Sequence, residues 1–205
     1  LGLHRKKILC PAFTCVVVPH AITFSENLPV FVDCMQDSFL MDFNLAMEAS
    51  SFDKQIGAII STPIYGQPVP LDLLAHFKRK YPHIHVIQDC AHSFFCESNG
   101  ISIHKEGIAA VYGLNFGKIL TSVFGGMITT DNEQLFHKIK SVKRQLIEPH
   151  TLAKSLRRRF YYIAGLSGLS NSIYGPAKKL ENIGLLDQFT RYYSEDKIDM
   201  PDDYL

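Results

Sequence analysis

Lys118 stands alone in the stretch GLNFGKILTSVFGGMITTD, residues 113–131, between Gly117 and an apolar run that ends on Gly125-Gly126. A lysine so placed can be a solvated charge, a ligand for phosphate, or a covalent catalyst whose amine attacks a carbonyl. Asp89 closes the run HVIQD and is followed by Cys90-Ala91-His92. Its carboxylate can cap a helix or serve a bound group. His92 reads either as a polar residue opening that helix or as a hydrogen-bonding group for a ligand's ring oxygen. The Gly125-Gly126 pair makes either a turn between strands or a close backbone approach to a ligand.

These residues depend on the elements that carry them. Short β-rich runs alternate with helical segments along the chain. The strand candidates are 7–13, 29–34, 58–64, 85–90, 108–115 and 126–131. Several are continuously apolar, as strands buried on both faces must be. Helices are expected over 14–26, 41–50, 70–81 and 131–148. Asp131 is positioned to cap the last of these, Glu133 lies in its first turn, and Leu135, Phe136, Ile139 and Val142 recur at helical spacing. The alternation predicts a layered α/β fold with a mostly parallel sheet. In such a sheet ligands gather at the C-terminal ends of the strands. Asp89, Lys118 and the turn Tyr65-Gly66-Gln67-Pro68 all fall there. As a pair, Asp89 and Lys118 meet two needs of pyridoxal phosphate: an amine for a Schiff base with its aldehyde, and a carboxylate at its pyridine nitrogen. Spacing alone leaves this reading beside a helix cap and a solvated lysine.

Composition narrows the class. The chain has 205 residues, 46% hydrophobic and 20% charged, with a formal net charge of +1. That is enough chain for one sizeable domain with a core, and it offers no bulk field for nucleic acid or an acidic membrane. No run approaches the roughly 18 apolar residues of a membrane span. The cysteines, Cys10, Cys15, Cys34, Cys90 and Cys96, are odd in number and lack C-x-x-C spacing. They read as buried thiols in a reducing compartment. From about residue 150 the pattern becomes less ordered. KSLRRRF reads as a solvated basic helix face, with an anion or membrane-surface contact as the alternative. The chain opens on Leu1-Gly2-Leu3 and closes on MPDDYL, and we expect it to be a portion of a longer protein.

Six segments in order, CPAFTCVVVPHAI, PVFVDC, YGQPVPLDLL, VIQDCAHS, GKILTSVFGGMITTD and EQLFHKIKSVKRQ, resemble the sugar aminotransferases of the DegT/DnrJ/StrS type. The resemblance covers roughly residues 1–148. It implies a three-layer α/β/α sandwich around a mostly parallel, mixed seven-stranded sheet, the large domain of a fold-type I pyridoxal phosphate enzyme. Residues 1–150 would form part of that domain, and 151–205 a helical extension toward a smaller C-terminal domain. Lys118 takes the place of the Schiff-base lysine and Asp89 that of the carboxylate at the pyridine nitrogen. Ala91 would pack on the ring and His92 would reach its phenolic oxygen, with Asn115 and Phe13 as further cofactor contacts. The implied reaction moves an amino group from an amino acid, usually glutamate, to a nucleotide-linked keto-sugar, in a cytoplasmic homodimer without nucleic-acid or membrane partners. The chain departs from the family pattern at Gly113, where a phosphate-binding serine is usual, at Cys15, where an aromatic residue is usual, and at Pro63, where a histidine is usual. Two alternatives stand beside the aminotransferase: another lysine-dependent pyridoxal phosphate reaction, and a non-enzymatic binding or regulatory member of the family.

Overall fold

The apolar runs become the inner strands of one sheet, because each can bury both faces against helices. The computed structural model describes residues 1–115, 117–122, 125–147, 151–168 and 171–183. The strands are β1 (Lys7–Pro11), β2 (Leu28–Val32), β3 (Ile56–Ser61), β4 (His85–Asp89), β5 (Glu97–Ser98), β6 (Ile101–Ser102), β7 (Ala109–Gly113) and β8 (Gly126–Thr129). The helices are α1 (Val17–Phe24), α2 (Phe43–Phe52), α3 (Leu71–Lys80), α4 (Glu133–Leu146), α5 (Leu152–Gly168) and α6 (Asn171–Asn182). The chain divides into two compact units, Leu1–Ile139 and Lys140–Leu205.

In the first unit the sheet order is β2-β1-β3-β4-β7-β8. The first five strands pair in parallel, and β8 closes the row antiparallel to β7. The resemblance implies seven strands; among the described residues the sheet has six. The β5–β6 hairpin forms a separate antiparallel pair.

Period-two alternation assigns the two faces of the sheet. Leu9, Ile59 and Val86 point to a core shared with Phe43 and Ala46 of α2 and Leu74 and Phe77 of α3. Ile8, Cys10 and Ala58 point the other way and pack with Val18 and Ile22 of α1. Helices therefore cover both faces, which gives the three layers. Phe43 and Phe77 meet edge to face, with centroids 6.1 Å apart.

Local chemistry sets the helix ends. Asp42 caps α2 by accepting from the backbone N–H of Asn44 at 2.7 Å. At α4 the cap is Asn132, whose side chain accepts from Leu135 N–H at 2.8 Å. This replaces Asp131, one residue too early to reach the third N–H of the helix. The Gly125-Gly126 pair answers to the sheet. Gly125 takes φ +127°, and a Cβ on Gly126 would lie 2.9 Å from the Tyr112 carbonyl oxygen. All five cysteines are free thiols. Cys10 and Cys90 are buried, but Cys15 is exposed, because the chain leaves β1 and turns before α1.

Candidate active site

Parallel pairing brings the ends of β3, β4 and β7 to one edge of the sheet. At that edge β4 ends on Asp89. Residues 90–96 then run as turns and not as a helix, so the carboxylate has no helix to cap. Asp89 Oδ1 instead accepts from Ala91 N–H at 3.1 Å, while Cys90 N–H donates to the Val111 carbonyl of β7 at 2.8 Å. This tight turn places Ala91 and His92 directly above the strand end.

The loop after β7 is closed by its own backbone. Leu114 N–H donates to Gly125 O, Ser122 N–H to Leu114 O, and Lys118 N–H to Asn115 O, at 2.9, 2.9 and 3.0 Å. Closure turns Lys118 back over the end of β7. A Cβ added at Gly113 would stand 3.4 Å from Lys118 Cε and 3.6 Å from the Ala91 Cβ. Gly113 is thus the floor over which the lysine stem and Ala91 come together.

Tyr65, Ala91, His92, Gly117, Lys118 and Ile119 line a cleft of about 260 Å³, close to the lower end of small-molecule pockets at roughly 300 Å³. Ala91, His92 and Lys118, anticipated from the sequence, share this cleft. Asp89 lies close enough for its charge to act on His92. Phe13 and Asn115 do not line it. The chain bends after β1 and sets the Phe13 ring against Phe39, with centroids 5.1 Å apart. Asn115 is exposed and contributes its backbone carbonyl to the loop.

Tyr65 is the residue that sequence reasoning placed nearby without assigning. It holds a left-handed φ of 55°, followed by Gly66 at 77°. Such a backbone is uncommon for a bulky residue and clusters at functional sites. The strain presents the Tyr65 ring to His92, stacked at 5.7 Å and 26°. Cys96 Sγ donates to the Gly66 carbonyl at 3.2 Å and ties the turn down. The Tyr-Gly pair between Pro63 and Pro68 is the only trace of this in the sequence.

Burial raises the Asp89 carboxyl above its ordinary range, against the opposing pull of Ala91 N–H, Lys118, His92 and the Thr62 hydroxyl. Burial also lowers His92; Lys118 reinforces the shift and Asp89 opposes it. A depressed imidazole is neutral at pH 7. The stability tied to that neutral form is present above the ordinary histidine range and lost as pH falls through the lowered value. Tyr65→Ala uncovers the ring, so His92 is expected to titrate closer to its ordinary value, while Tyr65→Phe should keep the shift. Histidine NMR titration reads this directly, and an unchanged curve for the alanine variant would show that the stacked ring does not shield His92.

The donor set suits pyridoxal phosphate. It offers one amine, a carboxylate next to it, a neutral imidazole, and a small side chain where a flat ring could pack. Among the described lining residues Lys118 is the sole cation, and the Gly113 position supplies no hydroxyl for a phosphate.

Residues 1–170 match the family described as the DegT/DnrJ/EryC1/StrS aminotransferase family. The UDP-4-amino-4-deoxy-L-arabinose–oxoglutarate aminotransferase of Shewanella sediminis is 30% identical over 67% of this chain and 34% of its own length. GDP-perosamine synthase of Caulobacter vibrioides is 26% identical over 78% of this chain and 41% of its own. Among solved structures, the PLP form of Spr1654 from Streptococcus pneumoniae matches with a TM-score of 0.59 at 20% identity, covering 68% of this chain and 39% of that one. The chain therefore spans well under half the length of these proteins. A six-segment pattern, a shared fold and a match across most of its residues agree: the chain belongs to the DegT/DnrJ/EryC1/StrS aminotransferase family.

Proposed function

We propose that the protein containing this chain is a pyridoxal phosphate-dependent aminotransferase that moves an amino group from an amino acid, glutamate, to a nucleotide-linked keto-sugar in amino-sugar synthesis. The observation that carries this is the convergence of Lys118, Ala91 and His92 on one cleft, with Asp89 at the strand end beside it. The relatives' names support the substrate class: one is named for a UDP-linked amino-sugar and oxoglutarate, another for a GDP-linked amino-sugar.

Bound in the cleft, pyridoxal phosphate would supply an aldehyde and an electron-withdrawing ring that stabilises negative charge at the donor's α-carbon. The side chains divide the remaining work. Lys118 anchors the cofactor through its amine. With its amine free, Lys118 would be placed to move the proton at the donor's α-carbon. Asp89 keeps the ring nitrogen protonated, and the cation opposite would reverse the upward shift that burial gives its carboxyl. Neutral His92 hydrogen-bonds the phenolic oxygen. Ala91 would pack on one face of the ring. Residues 1–150 act as the cofactor-binding part of the large domain, and 151–205 lead toward a smaller domain.

The protein works in the cytoplasm as a homodimer, as the family resemblance implies; Lys118 is the sole cation among the described lining residues, so a second subunit would supply further charge for a bound phosphate. Light scattering at micromolar concentration is expected to give a dimer mass; a fully active monomer would refute this arrangement. The direct test of function follows formation of 2-oxoglutarate from glutamate with a nucleotide-linked keto-sugar as acceptor. A second reading, a binding or regulatory protein without turnover, draws on Gly113. It predicts cofactor uptake with no 2-oxoglutarate.

A further inference from the structure

Burial raises the Asp89 carboxyl, so an ionised Asp89 needs neighbours that favour its charged form. Ala91 N–H is one, donating at 3.1 Å. Lys118, on the loop after β7, and His92, in the turn after β4, act on it through their charge. Thr62 is the remaining neighbour, and its place follows from the sheet. Ile60 of β3 lies opposite Ile87 of β4 in parallel register, and Ser61 lies opposite Gln88. Ile60 and Ile87 both pack against the core of Ile8, Cys10 and Val18. Side chains alternate along a strand, so Thr62 and Asp89, each two residues further on, leave that same face side by side. Pro63 keeps Thr62 extended, because a proline ring disfavours helical backbone in the residue before it.

The polar groups of Thr62 are unequally used. Its carbonyl accepts from Ile64 N–H at 2.8 Å. Its side chain is buried, at 7% exposure, and Oγ1 makes no hydrogen bond of ordinary geometry to any described residue. A buried hydroxyl without an acceptor costs stability. The Asp89 carboxyl is the group on which this hydroxyl acts, as a donor that favours the ionised form. A hydroxyl proton rotates to suit its acceptor, so the donor can serve that carboxylate.

We propose that Thr62 is a positioning residue whose hydroxyl donates to the Asp89 carboxylate and holds it, ionised, at the end of β4. Thr62 is not among the residues lining the cleft; it acts through Asp89. Its consequence for turnover rests on the transferase reading, in which Asp89 serves the ring nitrogen, whereas the contact itself needs no bound group. The alternative is a stranded hydroxyl at a strand end with no part in the chemistry. Thr62→Val separates the two, because it exchanges the hydroxyl for a methyl group of similar size.

The test compares full-length Thr62→Val and Thr62→Ser with the parent protein. The first arm is denaturant titration of the cofactor-free proteins across pH. Below about pH 4 the carboxyl takes up its proton in folded and unfolded chains alike. Valine should there equal or exceed the parent, since a buried hydroxyl has been removed. As pH rises the parent keeps a donor to the carboxylate and the valine variant does not, so the variant should lose stability against the parent. In an Asp89→Asn background that pH dependence should vanish, although Lys118 and His92 remain. The second arm is turnover with glutamate and a nucleotide-linked keto-sugar. Thr62→Val is expected to fall about tenfold, the scale of one hydrogen bond to a charged group, and Thr62→Ser to recover most of the loss. A stability difference that does not change with pH, or whose pH dependence survives in the Asp89→Asn background, would overturn the proposal. So would full turnover in Thr62→Val while Asp89→Asn is crippled. Full turnover in both variants would instead retract the ring role of Asp89, and the cofactor-free arm would still decide the contact.

Discussion

Lys118→Ala is expected to abolish transamination, with a loss of at least about 10²–10⁴-fold from the missing proton transfer alone. Covalent anchoring of the cofactor is lost as well. Lys118→Arg should fail equally: the guanidinium remains protonated and is a poor nucleophile, although charge and length are retained. That pair separates a chemical role from an electrostatic one, since a lysine acting only as a positive charge would tolerate arginine. The fold should survive both changes. Lys118 is partly exposed, and its stem lies over Gly113 and belongs to none of the three hydrophobic core clusters. The change in unfolding free energy should stay within about 0.5 kcal/mol, as for a surface substitution. Activity assays and denaturant titration of the full-length variants measure the two effects.

Asp89→Asn should split function from stability. Turnover is expected to fall roughly 100-fold or more, equivalent to about 2.7 kcal/mol of barrier, because a neutral amide cannot hold the ring nitrogen protonated. The cofactor-free protein should gain stability at neutral pH. Burial raises the Asp89 carboxyl, so the folded state binds its proton more tightly than the unfolded state does. The stability so contributed is fully present below the ordinary carboxylate value and is lost as pH rises through the folded one. Asparagine carries no charge to bury and can still accept from Ala91 N–H. Its advantage should therefore shrink as pH falls toward the ordinary carboxylate value of about 4 and be gone below it. Equal stability of the two proteins from acid to neutral pH would argue that Asp89 is not held in a desolvating site, and undiminished turnover would remove its role at the ring.

The sheet was legible because its strands are short apolar runs with clear boundaries, and each of the six expected runs holds one strand. The four expected helices appear for the same reason: Leu74 and Phe77 in α3 and Phe43 and Ala46 in α2 fall at the spacing of one buried face. The β5–β6 hairpin escaped notice because two-residue strands carry no periodicity. His92 and Lys118 could be singled out from residue type and position at strand ends, and Ala91 through the family resemblance. Tyr65 could not be assigned, since its place depends on a left-handed backbone and a ring stack that exist only in three dimensions. The place of Phe13 also depends on the third dimension: its ring lies 6.4 Å from that of Tyr65, which lines the cleft. Two residues beyond β1 the chain has bent, and a ring near the strand end in sequence faces Phe39 in space.

The account rests on a covalent role for one lysine, and mapping that bond tests it most directly. The full-length protein would be reduced with borohydride in the presence of pyridoxal phosphate, digested, and its peptides sequenced by mass spectrometry. The account predicts a single stable pyridoxyl label, on Lys118, absent from Lys118→Ala. A label on any other lysine, or no label at all, would contradict it and shift the weight to a binding or regulatory role.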